Sequence, residues 1–496
     1  MDQKKIVRQI EFSYIIILLG MIIAPFLPFV LTRTLSLQEY GVYSLYYSFT
    51  QLFVVLLEFA LSQYIITKLP AERQGERIKD FLSSVLINIV LFFFFVIIAF
   101  LPYLRNWFLH INKLESYPDL YYYCIVIIFF GVILRLLYAY YFAKKEISYA
   151  NIIDFLKNNV WIILIILFFL VRKSLTIRQV FLLWAVSFLV TAFFLILRFS
   201  AELKGGMLKA LVSLKRAKKA LFFSLPLIPA LVSTWAISLS DRYIINYFEN
   251  PSRVALYSLP YSILGVILTL GATITTVLYP YFVEQAKKKQ HDKDDLLQNI
   301  SLKYGLIIIL PAIFGFLLLR KEIITLISGS AYLASAEVVP YLFLFPLFAF
   351  IGFVIYQHVL SQHKTKEIGI IYSLGAILNI GLNIILIPKL SLQGAALSTL
   401  ASYLFMATGL LLLTKKKIKL MPAYLKIERI LLSTGIMILC LLFVHPATYY
   451  MKILTIILVA IIYFASLFLT KVFIKEEITI IKNILFKNKI IGLVRK

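Results

Sequence analysis

Three charged residues lie inside otherwise apolar stretches: Glu58, Arg135 and Lys157. Each is nine or ten residues from the same predicted side of a span, so a rise of about 1.5 Å per residue places all three roughly 14 to 15 Å deep. Such charges are costly in hydrocarbon and usually face a polar cavity or a partner. Arginine suits bidentate contact with phosphate, lysine supplies a compact positive charge, and glutamate pairs or titrates. We therefore expect a cavity for an anionic phosphate group; the alternatives are a helix-locking Glu58–Arg135 ion pair and snorkelling of both cations to headgroups.

Two asparagines, Asn379 and Asn383, are four residues apart and share one helix face. There they could hydrogen-bond a sugar or a neighbouring helix. A further set of charged residues is expected at the outer ends of the first, seventh and eighth spans, as an outer gate or a headgroup-level rim. It comprises Arg33, Asp241, Arg242 and Arg253.

The elements that position these residues are predicted to be membrane helices. The chain of 496 residues is 61% apolar and 15% charged, whereas soluble domains are about 45 to 50% apolar and about 25% charged. Fourteen apolar runs have the roughly 18 to 25 residues that a membrane helix needs, and the short alternation of barrel strands is absent. The predicted fold is an all-α polytopic membrane protein.

The formal net charge of +26 first suggests a polyanion partner. Sorted by predicted loop, however, 36 of the 50 Lys and Arg residues lie on one side, 12 lie on the other, and two lie within spans. This bias predicts that both termini are cytoplasmic, and it explains the charge without nucleic acid. The richest stretches are Arg198–Lys219, Lys287–Lys303, Lys415–Arg429 and Lys471–Lys496.

Two short matches indicate an internal repeat. Tyr43–Ser48 resembles Tyr257–Ser262 at an offset of 214, and Lys145–Ile147 matches Lys366–Ile368 at an offset of 221. Both pairs lie six spans apart, which predicts two six-helix bundles in parallel repeat. The expected organisation is listed in order: residues 1–200 form the first bundle, 201–219 a basic cytoplasmic linker, 220–413 the second bundle, and 414–496 a loop, a helix pair and a basic tail.

Catalytic and metal-binding patterns are absent from the sequence. Cys124 and Cys440 are too few for a metal site or a disulfide framework, and no nucleophile elbow or ATP-binding loop occurs. We therefore expect neither an enzyme nor a bound cofactor or metal. A membrane polysaccharide polymerase is a less favoured alternative. We would expect a large extracytoplasmic loop in such an enzyme, whereas the longest predicted outer loop has fewer than twenty residues.

Several motifs resemble polysaccharide-precursor flippases of the MATE-like superfamily, the O-antigen or Wzx type. They are Arg33–Ser44, Asp241–Ile245, Tyr279–Phe282, and Asn379–Pro388 followed by Gly394–Leu397. With the six-plus-six-plus-two layout, the resemblance covers most of the chain.

This resemblance implies a MATE/MOP-like fold in a bacterial cytoplasmic membrane. It implies movement of an undecaprenyl-pyrophosphate-linked oligosaccharide from the inner to the outer leaflet, for O-antigen, capsule or exopolysaccharide synthesis. The implied partners are this polyprenyl-pyrophosphate-linked substrate, membrane lipid, and a polysaccharide polymerase with chain-length proteins. Coupling to H⁺ or Na⁺ stays open, and a cation-coupled MATE-type drug exporter is the transport alternative.

Overall fold

The structure is a computed structural model that describes residues 15–72, 74–202, 213–288, 291–361, 364–414, 421–444 and 448–473. These residues form helices joined by short loops, and thirteen of the described helical segments are long and apolar enough to cross a membrane. The predicted all-α polytopic fold is confirmed. The remaining predicted span corresponds to Ile427–Leu442, a helix of 16 residues.

The first compact unit comprises residues 1–258. Its helices are α1 (Ile15–Thr34), α2 (Leu37–Glu58), α3 (Leu61–Lys68), α4 (Gln74–Ala99), α5 (Pro102–Ile111), α6 (Leu120–Ala143), α7 (Ile147–Arg172), α8 (Ile177–Glu202), α9 (Leu214–Ser224), α10 (Ile228–Leu239), α11 (Asp241–Phe248) and the beginning of α12 (Pro251–Lys288). Short 3₁₀ segments, Leu69–Ala71 and Leu225–Leu227, follow α3 and α9. The seventh span is therefore built from α9 and α10 in series.

The second compact unit comprises residues 259–496. After the rest of α12, its helices are α13 (His291–Leu318), α14 (Arg320–Ser328), α15 (Val339–Leu342), α16 (Phe345–Ser361), α17 (Thr365–Leu390), α18 (Leu392–Thr414), α19 (Pro422–Leu425), α20 (Ile427–Leu442) and α21 (Tyr449–Leu469). A 3₁₀ segment, Ser330–Glu337, precedes α15. Helices α20 and α21 are the helix pair expected near the C-terminus.

Local sequence explains where several helices begin. Ser36 and Glu39 form a capping box at α2, since the Ser36 hydroxyl accepts from the Glu39 amide at 3.2 Å and the Glu39 carboxylate accepts from the Ser36 amide at 2.9 Å. Pro102 and Pro251 occupy the first position of α5 and α12, where a helix needs no amide donor. In α1 a proline acts in the opposite way, because the helix is interrupted at Pro25 and resumes at Phe26.

Apolar side chains lie on the outside of the helices as well as in their core. Trp184, Tyr46 and Tyr140 are buried, whereas Phe94 and Phe194 are well exposed. Exposed apolar faces of this extent are expected where lipid replaces water as the solvent. The chain is therefore a multi-pass membrane protein.

Along the chain, the boundary between the two compact units lies within α12, between Ser258 and Leu259. This boundary follows the seventh span, whereas the expected repeat boundary precedes it. The two copies of the Tyr-Ser-Leu motif occupy similar places, since Tyr43 and Tyr257 are each the seventh residue of their helix. The parallel repeat and its bundles stay a prediction. Parts of the linker (203–212), of the cytoplasmic loop (415–420) and of the tail (474–496) lie outside the described residues.

Candidate functional site

Helix α2 ends at Glu58, inside the predicted second span. Phe59 and Ala60 both have a φ of 56°, and α3 starts at Leu61. The Ser62 amide, near the start of α3, donates to Oε1 of Glu58 at 3.2 Å. Glu58 therefore closes one helix and caps the next, where a carboxylate also interacts favourably with the helix dipole.

Glu58 and Arg135 form an ion pair between α2 and α6. Nη1 of Arg135 lies 3.0 Å from Oε2 of Glu58. The Glu58 side chain is 5% exposed, whereas the Arg135 side chain is 37% exposed. The carboxylate is thus sealed in the protein while more than a third of the arginine side chain is exposed. The guanidinium also has more donors than this one bond uses.

Lys157 belongs to a different pair, which the sequence analysis missed. Its Nζ lies 2.8 Å from Oδ1 of Asp154, one turn earlier on α7, and 6.0 Å from the centre of the Tyr138 ring. Tyr138 follows Arg135 by one turn on α6, so the Lys157 pair lies near the helix that carries Arg135. The Glu58–Arg135 ion pair is the helix-locking contact given as an alternative, Lys157 contacts Asp154 instead, and a cavity shared by all three charges stays a prediction.

An additional anionic ligand must compete with the two carboxylates in order to bind here. Each pair is formally neutral, so the site has no net charge until a carboxylate is displaced or protonated. Asp154 is 47% exposed and Lys157 17%. Exposure weakens an ion pair through solvent screening, so the Asp154–Lys157 pair is the easier of the two to exchange.

The four charged residues expected at an outer gate or rim separate into two groups. Arg33 is exposed, with its guanidinium 5.7 Å from the Phe29 ring, and Arg253 pairs with Glu249 at 2.6 Å. Asp241 and Arg242, by contrast, are buried. Burial therefore distinguishes Asp241 and Arg242 from the other two residues. An outer rim and an outer gate both stay predictions for all four.

The buried pair at the start of α11 is held by short contacts. The Arg242 amide donates to Oδ1 of Asp241 at 2.8 Å, and Nη1 of Arg242 donates to the Ser238 carbonyl at 2.7 Å. Burial raises the pKa of the Asp241 carboxyl, and the positive charge of Arg242 with a hydrogen bond from Tyr257 offsets part of that rise.

Asn379 and Asn383 bond to each other in the second unit. Nδ2 of Asn383 donates to Oδ1 of Asn379 at 3.0 Å, and both residues have zero exposure. Helix α18 packs closely against the end of α17, since a Cβ on Gly394 would lie 2.5 Å from the Leu386 carbonyl oxygen. This geometry favours helix packing, and contact with a sugar stays a prediction.

Two hydrogen bonds tie α2 to α10, at the end of the seventh span, and to α11, which follows that span. Trp235 Nε1 donates to the Ser48 carbonyl and the Tyr243 hydroxyl donates to the Leu45 carbonyl, each at 3.0 Å. These donors reach the backbone of α2. Hydropathy alone does not predict such contacts, although a tryptophan and a tyrosine eight residues apart could have indicated them.

At the start of the seventh span, Arg216 binds two carboxylates of α4. Its Nη1 lies 2.9 Å from Oδ1 of Asp80, which is 2% exposed, and its Nη2 contacts Glu76. Arg216 lies in the stretch that the sequence analysis assigned to topology. Here it also makes a specific contact between helices.

An apolar cavity of about 290 Å³ lies in the second unit, between α13 and the helix pair α20–α21. Pro311 and Gly315 line it from α13, and Met437 and Tyr463 line it from the pair. Proline has no amide to donate to the carbonyl four residues earlier, and the Tyr463 hydroxyl instead donates to that Ile307 carbonyl at 2.9 Å. The cavity suits a hydrocarbon chain.

Within the described residues, no group of three or more His, Cys, Asp and Glu side chains is placed to hold a metal ion. The coupling ion therefore stays a prediction. Cys124 is buried and Cys440 partly buried, and both are free thiols.

Sequence comparison identifies a family and one curated relative. The family described as "Polysaccharide biosynthesis protein" matches residues 6–286. The probable low-salt glycan biosynthesis flippase Agl15 of Haloferax volcanii is 20% identical over 191 residues, which are 38% of this chain and 40% of that relative. The match thus spans less than half of the relative.

Structural comparison shows the same fold in known membrane transporters. The lipid II flippase MurJ in an inward closed conformation aligns with a TM-score of 0.73 and 17% identity, over 92% of this chain and 97% of its own. An inward-facing multidrug resistance MATE family transporter of the MOP superfamily aligns with a TM-score of 0.63 and 15% identity, over 82% and 95%. The predicted MATE/MOP-like fold is confirmed.

Proposed function

Because the chain belongs to the polysaccharide biosynthesis protein family, we propose that it flips a lipid-linked oligosaccharide across the membrane. The substrate is an undecaprenyl-pyrophosphate-linked repeat unit for O-antigen, capsule or exopolysaccharide. It moves from the cytoplasmic to the outer leaflet of the bacterial inner membrane by alternating access of the two bundles. Both termini are cytoplasmic, and the protein acts as a transporter.

One observation carries this proposal: a partly exposed arginine deep in a membrane span. The Arg135 side chain is 37% exposed although its partner, Glu58, is buried. Arginine binds phosphate through two parallel hydrogen bonds, and low dielectric strengthens them. A pyrophosphate has the charge and the acceptor oxygens to compete with a carboxylate for this group.

Lys157 supplies the second cation of the proposed site. It is held beside Tyr138 by the partly exposed Asp154. When the headgroup enters from the cytoplasmic side, its phosphates displace Asp154 and engage Lys157 together with Arg135. Outward opening hydrates the headgroup and releases it, and the carboxylates pair with the cations again.

The prenyl tail needs a different environment from the headgroup. The cavity lined by Pro311, Gly315 and Met437 is apolar and lies beside the helix pair. We place part of the tail there, because an isoprenoid chain matches the apolar lining and can pack against it through van der Waals contacts. A polysaccharide polymerase and chain-length proteins would use the flipped product.

The decisive experiment removes both cations. In a host strain that lacks the chromosomal gene, Arg135→Gln with Lys157→Gln should abolish surface glycan per amount of membrane-inserted protein. Surface glycan is quantified by immunoblotting against the polymer, and the protein by a C-terminal tag. Lys173→Gln, an exposed lysine at the end of α7, is the matched control and should leave glycan unchanged.

Normal surface glycan in the double variant would overturn this site. The alternative is a cation-coupled MATE-type exporter of drugs or other small molecules, which would have the same fold, so the same strains are also tested for efflux of the cationic dye ethidium. Efflux that requires Arg135 and Lys157, with surface glycan unaffected, would favour the exporter. The two cations favour the anionic lipid, since a cationic drug gains nothing from them.

A further inference from the structure

The second span is broken between α2 and α3 by two residues that are not glycine. Phe59 and Ala60 both lie in the left-handed region at a φ of 56°, which costs roughly 1 kcal/mol or more per residue. Nothing in their side chains favours this conformation. The break therefore exists because surrounding contacts stabilise it.

Two of those contacts come from Glu58. Its Oε1 accepts the Ser62 amide at 3.2 Å, and its Oε2 accepts Nη1 of Arg135 at 3.0 Å. One carboxylate thus joins the first turn of α3 to the cation on α6. The two oxygens have separate partners, so losing Arg135 need not remove the cap.

A third contact comes from α4. Nδ2 of Asn88 donates to the Leu57 carbonyl at 2.6 Å. In a continuous helix that carbonyl would accept the amide of Leu61. Asn88 satisfies the acceptor that the break exposes, which a membrane interior requires.

Helix α3 also contacts the beginning of the seventh span. The Tyr64 ring lies 5.6 Å from the Phe223 ring in an edge-on arrangement, and Nζ of Lys68 lies 5.2 Å from the centre of the same ring. Phe223 belongs to α9, the helix that also carries Arg216. A change in the direction of α3 would therefore reach the cytoplasmic start of the seventh span.

We propose that Glu58 is a positioning residue that couples occupancy of Arg135 to the break at Phe59–Ala60. This inference rests on the proposed function, because it takes an anionic lipid headgroup as the ligand of Arg135. When phosphate engages the guanidinium, Glu58 loses its tie to α6 and keeps the Ser62 amide. Helix α3 keeps its packing against α6 but changes its angle at the break, and α9 follows it through Phe223.

The test measures the position of α3 directly. Cys124→Ala and Cys440→Ser remove the native thiols, and nitroxide labels are attached at Thr67→Cys on α3 and Ser174→Cys after α7, both exposed positions. Pulsed electron paramagnetic resonance reports the distance between the labels in the purified full-length protein. The probe is undecaprenyl pyrophosphate, and undecaprenol, which has no phosphate, is the control lipid.

Undecaprenyl pyrophosphate should shift the wild-type distance distribution to a second population, and undecaprenol should not. Glu58→Gln should show that second population without lipid and respond no further when the lipid is added. Arg135→Gln, which removes the cation that pairs with Glu58, should behave in the same way. Glu115→Gln, which removes an exposed carboxylate paired with His110, should respond like the wild type.

Native mass spectrometry of the same samples separates two kinds of failure. If the wild type does not bind undecaprenyl pyrophosphate, the proposed function is wrong. If it binds the lipid and the distance between the labels stays constant, or if Glu58→Gln and Arg135→Gln both match the wild type with and without lipid, the coupling role of Glu58 is overturned.

Discussion

The Glu58–Arg135 pair in the first unit and the Asn379–Asn383 pair in the second are both polar pairs within spans, yet they differ in exposure. Arg135 is 37% exposed, whereas both asparagines are completely buried. The charged pair joins two helices and borders a break, and the amide pair lies on a single helix. Residues that look equivalent as polar positions in a sequence thus have different surroundings.

The difference shows what distinguishes a binding position from a packing position in a membrane protein. A buried amide is stabilised by the hydrogen bonds that it makes. Asn379 and Asn383 share one bond, while Nδ2 of Asn379 and Oδ1 of Asn383 have no partner among the described residues. An ion pair with one accessible partner exchanges its counterion more readily. Exposure of one member of a pair is therefore a better sign of a ligand site than polarity alone.

The largest expected effect tests the charged pair. Arg135→Met leaves the Glu58 carboxylate buried without its cation, which should lower the free energy of unfolding by about 3 kcal/mol, the lower end of the range for broken buried pairs because Arg135 is partly exposed. Adding Glu58→Gln should regain part of that loss, since no charge is then stranded. Thermal unfolding in detergent measures both; equal losses in the single and double variants would mean that the pair is not coupled.

A smaller effect is expected from the amide pair. Asn383→Ala removes the donor to Oδ1 of Asn379 and should cost about 1 to 3 kcal/mol, the penalty for a buried unpaired polar group. Surface glycan per amount of membrane-inserted protein should stay unchanged. If the glycan is lost while the unfolding temperature is retained, the asparagines contact the substrate, and the contrast between the two regions fails.

The smallest effect is expected from the Tyr463 hydroxyl, which attaches the helix pair to α13. Tyr463→Phe should cost about 0.5 to 1.5 kcal/mol, because the Ile307 carbonyl loses its donor. In a Pro311→Ala background the cost should shrink, since the new alanine amide can donate to the same carbonyl. A Tyr463→Phe cost that is equal in both backgrounds would show that the hydroxyl does not compensate for the proline.

Sequence reasoning was most successful for the membrane spans and least successful for the ion-pair partners of charged side chains. The apolar runs correctly predicted the helical membrane fold because hydropathy over about twenty residues is a local property. The Glu58–Arg135 pair followed from equal depth in the membrane. Asp154 was overlooked although it lies three residues before Lys157, a spacing at which opposite charges meet on one helix face.

Other features carried no local signal. Phe59 and Ala60 favour a continuous helix, and neither marks the break that the structure has there. Asp241 and Arg242 follow an apolar run and were expected at an outer rim or gate, and nothing in the sequence indicated that they are buried. Burial depends on which helices pack around a residue, and this is not encoded in its immediate neighbours.

The sequence by itself determined the membrane class, the helical fold and the family resemblance, because apolar length and short motifs act within single segments. The tertiary structure decided which charges are paired, which polar groups are sealed, and where the second span breaks. Those outcomes depend on the rotation and spacing of several helices at once: a charge or carbonyl is stabilised only by the partner that packing brings to it.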